Sequence, residues 1–114
     1  LEVLVVEDEF LLADYLTELL EEAGARVIGP LATVKEATAF ANSDRRPHCA
    51  LLDVNLRGEK IYPAASLLRE RGVPIIFMTG YDEMPPEFSS VSCLQKPANP
   101  AALIATLSHA SRGG

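Results

Sequence analysis

No stretch of this chain stays apolar for anything near the roughly 20 residues that a bilayer-crossing helix needs. Basic charge is also scarce: ten Lys and Arg face sixteen Asp and Glu in 114 residues, a formal net charge of -6. Arg45-Arg46 and Arg69/Arg71 are the close basic pairs, and both read as solvated charges at helix ends. Direct nucleic-acid binding, which draws on concentrated Lys and Arg, is therefore not expected. Cysteine is rarer still. Cys49 and Cys93 stand apart, outside any CxxC or Cys/His pattern, so neither metal nor redox chemistry is expected of them; both read as small buried apolar residues in a reducing cytosol. A signal-peptide pattern, repeats, linkers and low-complexity tracts are missing too. What is there, 48% hydrophobic and 23% charged residues, is the composition of a folded domain rather than a disordered chain. The expectation is one domain over residues 1–112, with Gly113-Gly114 as a frayed tail.

Within that composition the string VLVVEDEF, residues 3 to 10, stands out. Continuous Val and Leu suit a strand buried on both faces, yet the run stops against Glu7, Asp8 and Glu9, whose carboxylates repel one another. The rest of the chain alternates strand and helix, the pattern of an α/β fold with a parallel sheet. A strand over Glu2 to Val6 leads to a helix near Glu9 to Ala23, with Leu12, Leu16, Leu19, Leu20 and Ala23 at helical spacing and Gly24 at its stop. ARVIGP gives a second strand, and Thr33 with Glu36 reads as a capping box opening a second helix that buries Val34, Ala37, Phe40 and Ala41. CALLDV is a third strand ending at Asp53, and NLRGEK reads as a loop. Pro63 suits the first turn of a third helix, which turns Leu67 and Leu68 inward and stops at Gly72. PIIFMTG is a fourth strand and VSCLQK a fifth. Asn99-Pro100 caps a last helix through Leu103, Ile104 and Leu107. Between strands four and five, Pro85-Pro86 rules out a long helix over Tyr81 to Ser90, so a loop or one short helix is expected there.

Five strands with short crossovers predict a doubly wound sheet, whose ligands gather at the carboxyl ends of the strands. Glu7 and Asp8 follow the first strand, Asp53 closes the third, Thr79 closes the fourth and Lys96 follows the fifth, so all five land on one edge. Each has an ordinary explanation alone: a helix-start acid, a turn residue, a surface lysine. Their convergence is what points to chemistry. Clustered carboxylates become tolerable around a divalent cation, and few hard oxygen ligands suit Mg²⁺. An Asp carboxylate can attack phosphorus, and a metal with Lys96 would neutralise the phosphoryl oxygens while Thr79 donates a hydrogen bond to one. His48 and His109 lie outside this constellation.

VVEDE, LLDVNL, MTGYD and LQKP, each at a strand's C-terminal end, together resemble the receiver domain of two-component response regulators over essentially the whole chain. The resemblance implies a flavodoxin-like sheet of strand order 2-1-3-4-5 with a short or irregular fourth helix. It implies Asp53 as phosphoacceptor, with Asp8, Asp53 and the backbone carbonyl of Asn55 binding Mg²⁺ directly and Glu7 acting on it through water. Lys96 would pair with the phosphoryl group, Thr79 would be the switch hydroxyl, and the Lys96-Pro97 bond would be cis. NLRGEKIYP, RGVPIIFMTGYDE and LQKP further resemble the single-domain subgroup with a Phe-Ala-Thr-Gly-Tyr-type motif, Met78 standing in place of its Ala. Three residues before Lys96, where ordinary receivers carry a switch Tyr or Phe, this chain has Cys93. Tyr81 is the aromatic left to join Thr79 in a switch that reorders residues 81 to 90.

The expected function is a phosphorylation-controlled signalling switch in the cytoplasm. It takes its phosphoryl group from a phosphohistidine on a histidine kinase or histidine phosphotransfer protein and signals by protein-protein interaction, without direct nucleic-acid or membrane contact. It catalyses only its own phosphorylation and dephosphorylation, a regulatory domain rather than an enzyme. Leu11 and Leu12 on the first helix are a candidate part of the kinase-docking surface. Two alternatives stand beside this reading. A Mg²⁺-dependent phosphatase with an Asp nucleophile would need a second acid close after it, and Val54 and Asn55 follow Asp53 instead. A non-phosphorylated interaction module of the same fold would have no use for the intact acid set.

Overall fold

The computed structural model describes residues 1–80, 84–96 and 99–111. In chain order its elements are β1 (Glu2–Val6), α1 (Phe10–Glu22), β2 (Arg26–Leu31), α2 (Val34–Ala41), β3 (Cys49–Asp53), β4 (Asn55–Leu56), β5 (Glu59–Lys60), α3 (Tyr62–Glu70), β6 (Ile75–Thr79), a single 3₁₀ turn (Pro86–Phe88), β7 (Ser92–Gln95) and α4 (Pro100–Ser111). Five strands form one parallel sheet in the order β2-β1-β3-β6-β7, which is 2-1-3-4-5 among the sheet's own strands. This is the flavodoxin-like order, with the reversal falling at β1 and β3. The frayed tail and the Lys96-Pro97 bond lie outside the described residues, as does Tyr81.

The apolar runs alternate within themselves. Leu4 and Val6, Ala50 and Leu52, and Ile75 and Phe77 pack on one face with residues of α2 and α3. Val3 and Val5, Cys49 and Leu51, and Ile76 and Met78 pack on the other with Leu16 and Leu20 of α1 and Leu103 and Leu107 of α4. Both faces are covered, so a strand such as β1 gains nothing from polar residues along its length and is limited only at its ends. That is why the chemistry-bearing side chains begin where the strands stop.

Local signals fix the helix ends. Thr33 Oγ1 accepts the Glu36 N–H at 3.1 Å, while Glu36 Oε1 takes the Ala32 N–H and the Thr33 hydroxyl, both at 3.1 Å. Asn99 Oδ1 accepts the Ala102 N–H at 3.1 Å and caps α4. Gly24 and Gly72, at φ +92° and +79°, end α1 and α3 in the same way. In each the glycine N–H and the next N–H turn back to carbonyls of the last turn (Gly24 to Glu21 and Ala25 to Leu20, Gly72 to Arg69 and Val73 to Leu68).

Three sequence expectations need correction. NLRGEK is not a plain loop: β4 and β5 pair antiparallel as a two-residue hairpin, Asn55 opposite Lys60 and Leu56 opposite Glu59. Cys93 is exposed rather than buried, because β7 is an edge strand and, among the described residues between β6 and β7, the regular structure is one 3₁₀ turn. The paired arginines are also not simply solvated. Arg71 donates to the Ser43 carbonyl at 2.8 Å, and Arg69 donates to the Glu87 carbonyl with its guanidinium 5.5 Å above the Phe88 ring. Phe88 is the buried anchor of that 3₁₀ turn, 5.5 Å from Tyr62 in a stacked pair and 5.3 Å from Phe77 edge-to-face. Among the described residues no helix is long and apolar enough to cross a membrane.

Leu52 is completely buried in the central strand, whereas Phe10, at 75% exposure, projects into solvent. Leu52→Ala is therefore expected to lose about 2–5 kcal/mol of stability in urea denaturation, through lost transfer energy and the cavity left behind. Phe10→Ala should change it by less than about 0.5 kcal/mol.

Candidate functional site

β1 ends at Val6, but its pairing with β2 runs one step further: the Glu7 N–H donates to the Leu31 carbonyl at 2.8 Å. This holds Glu7 at the strand end with only 2% of its surface exposed. Its Oε2 accepts the Glu9 N–H at 2.9 Å and so satisfies a donor at the start of α1. The Val54 N–H donates to the Met78 carbonyl at 3.0 Å, locking β3 against β6 just past Asp53. Asp53 is 4% exposed, and its Oδ1 accepts the Asn55 N–H at 3.2 Å. On the far side the Lys96 N–H donates to the Thr79 carbonyl at 3.0 Å, continuing the β6–β7 ladder by one residue.

Those backbone placements aim three side chains at one point. Lys96 Nζ lies 2.8 Å from Asp53 Oδ2 and 2.9 Å from Glu7 Oε1. Carboxylate oxygens of Glu7, Asp8 and Asp53 come within 4.8 Å of one another. Asp8, Glu9, Asp53, Asn55, Arg57, Gly58, Gly80 and Lys96 line an open cleft of about 440 Å³ above them. The structure thus brings together Glu7, Asp8, Asp53, Asn55 and Lys96. Thr79 sits buried at the end of β6, joined to Lys96 through the backbone. Arg57 and Gly58 are cleft residues that the sequence reading passed over; their signal was an Arg-Gly pair four residues after Asp53, at the tip of the hairpin.

Burial shapes the charges here. The Glu7 carboxyl is pushed up to about 7, mainly by desolvation and further by the neighbouring Asp53 charge, against the lowering pull of the Glu9 N–H and Lys96. Burial works against the Lys96 ammonium, but hydrogen bonding and charge from Asp53 and Glu7 outweigh it and hold its pKa above the ordinary lysine value. Glu7 Oε1 meets Lys96 Nζ at 2.9 Å and takes no other donor among the described residues, so it keeps a free lone pair. A buried carboxylate oxygen with spare acceptor capacity, facing two further carboxylates, fits a hard divalent cation and its waters.

A model of the response regulator receiver domain matches residues 3–108. The chain belongs to that family. This receiver domain is 37% identical over 116 residues to the phyllosphere-induced regulator PhyR of Methylorubrum extorquens, a match covering 96% of this chain and 43% of PhyR. It spans less than half the length of the curated relatives it matches, 43% and 45%. Among solved structures it superposes on SdrG from Sphingomonas melonis Fr1 with TM-score 0.83 and 37% identity, covering 96% of this chain and 94% of SdrG. The BeF3-activated conformation of SdrG, from Pseudomonas melonis Fr1, matches at TM-score 0.78 and 34% identity, over 94% of this chain and 92% of that one. The anti-anti-sigma factor PhyR from Bartonella quintana matches at TM-score 0.78 and 27% identity, over 96% of this receiver and 46% of that chain.

Because the folded pKa of Glu7 lies above that of a free carboxyl, folding binds a proton between about pH 4.5 and 7. Stability from this group is fully present below the lower value and is lost as pH rises through the upper one. With a chelator present, Glu7→Gln, which mimics the neutral form, should match wild type near pH 4.5. It should exceed wild type by on the order of 2 kcal/mol at pH 8, read from urea midpoints.

Proposed function

We propose that this receiver accepts a phosphoryl group on Asp53, from a phosphohistidine on a histidine kinase or histidine phosphotransfer protein, and signals through protein-protein contact. The observation that carries the reading is the placement of Asp53: nearly buried at a strand end, paired to Lys96, and within carboxylate distance of Glu7 and Asp8 at the floor of an open cleft. The residues present suit Mg²⁺, which Asp8, Asp53 and the Asn55 carbonyl would hold directly and Glu7 through water. When bound, the ion supplies positive charge to offset the anionic oxygens of the transferring phosphoryl group.

The chain's own groups account for the rest. An Asp53 carboxylate oxygen forms the new O–P bond as the donor's P–N bond breaks, and the departing imidazole takes a proton from solvent. Lys96 is already 2.8 Å from Asp53 Oδ2 and moves its ammonium contact onto a phosphoryl oxygen. Attack of water on phosphorus later releases phosphate and restores the carboxylate. Thr79 contributes its hydroxyl to the phosphoryl group and, with Tyr81, forms the switch that reorders residues 81 to 90. The likeness to SdrG in a BeF3-activated conformation supports this reading, since beryllofluoride is tetrahedral and anionic like a phosphoryl group. Phe10 and Leu11, 75% and 80% exposed at the start of α1 beside the cleft, form an apolar patch for docking the donor. Leu12 is half-buried against α1's core neighbours and is a smaller part of that patch than Leu11. Catalysis is confined to the domain's own phosphorylation and dephosphorylation, the setting is cytoplasmic, and no nucleic acid is contacted directly.

Incubation with autophosphorylated histidine kinases should transfer radiolabel to the wild type in Mg²⁺ and not in excess chelator. Asp53→Asn should take up none, and Lys96→Ala should be slowed by at least about tenfold. Equal labelling of Asp53→Asn would sink the assignment, as would wild type that stays unlabelled by every kinase able to label another receiver.

A further inference from the structure

Arg57 has no role in the site so far, and its conformation is unusual. Among the described residues it is the one non-glycine residue with a positive φ, +52°, followed by Gly58 at +89°. Two consecutive left-handed residues make the type I′ turn of a two-residue hairpin, where the first position favours Asn, Asp or Gly. An arginine there carries a conformational cost that a shorter polar residue would avoid. The hairpin holds it firmly: Asn55 pairs with Lys60 and Leu56 with Glu59, and the Ile61 N–H closes the base onto the Val54 carbonyl at 2.9 Å. Arg57 lines the same cleft as Asp53 and Lys96, and among the described residues its exposed guanidinium has neither hydrogen bond nor ion pair.

The charge of the site gives that guanidinium a task. Glu7, Asp8, Glu9 and Asp53 bring four carboxylates to the strand ends, against the single ammonium of Lys96. With all four ionised, a magnesium ion on the proposed ligands still leaves one negative charge, and the arriving phosphoryl group adds two more. A further cation in the cleft would ease the approach of an anionic substrate to such a site. Accepting this reading of Asp53, we propose that Arg57 is a second phosphoryl-binding residue. The hairpin holds its guanidinium over the cleft, where it binds the phosphoryl oxygens of the incoming donor and later of phospho-Asp53. The strained turn is thus tied to the placing of the charge.

The test uses a donor too small to touch the rest of the surface. With phosphoramidate the P–N bond breaks as the Asp53 O–P bond forms, and ammonia leaves with the protons already on its nitrogen. Arg57→Asn and Arg57→Gly both suit a positive φ and both remove the guanidinium. Each should raise the KM for phosphoramidate by on the order of tenfold, with kcat changed by less than about twofold. The gap from wild type should narrow as salt rises from about 0.05 to about 0.5 M, because the contact is exposed. The thermal midpoint of Arg57→Asn should rise by a few degrees as the turn relaxes, which separates lost binding from lost fold. A KM equal to that of wild type in both variants overturns the role of Arg57 while leaving Asp53 as phosphoacceptor. Wild type that takes no phosphoryl group from phosphoramidate or from any kinase overturns the reading of Asp53 itself.

Discussion

Two nearly buried carboxylates, Glu7 and Asp53, face each other across one ammonium. Desolvation and mutual repulsion both work against placing two acids at adjacent strand ends. Lys96 relieves both and is itself held charged by them. Its position depends on β7 pairing parallel with β6 and on the one further bond to the Thr79 carbonyl. Strand order, register and electrostatics are therefore one problem here: moving β7 by a residue would bring a different side chain to the acids.

That arrangement is incomplete in a useful way. One ammonium cannot balance two acids, and Glu7 Oε1 keeps unused acceptor capacity. A site with surplus negative charge in low-dielectric surroundings attracts a small hard cation and also resists an anionic substrate. In the proposed reaction the cation answers the first tendency and a second basic side chain the second. The exposed Phe10 and Leu11 lie outside this balance and add nothing to folding, consistent with a surface kept for a partner.

The parts of this domain that could be read from sequence are those governed by local rules. Thr33 and Glu36, Asn99, Gly24 and Gly72 each act through hydrogen bonds within four or five residues, so sequence spacing suffices. The continuous Val, Leu and Ile runs carry the parallel sheet with them, and with it the convergence of Glu7, Asp8, Asp53, Thr79 and Lys96. What escaped depends either on partners far along the chain or on an unusual local turn. Cys93 reads as buried by its type and is exposed because its strand is an edge with little to cover it. The Asn55–Lys60 hairpin escaped because its turn uses Arg-Gly where Asn-Gly is the usual signal. The displaced pKa of Glu7 follows from burial between strands, which no spacing rule reports.

The ring of Phe88 has a consequence of its own. A whole helix between β6 and β7 would spread its grip over several turns, each able to give a little. Here, among the described residues, the connection is anchored chiefly by one fully buried ring, wedged against Tyr62 and Phe77 and roofed by Arg69, with Met84 and Val91 half-buried against the same core. Any displacement of this stretch has to draw that ring out of its aromatic contacts, so the stack sets the threshold for moving it.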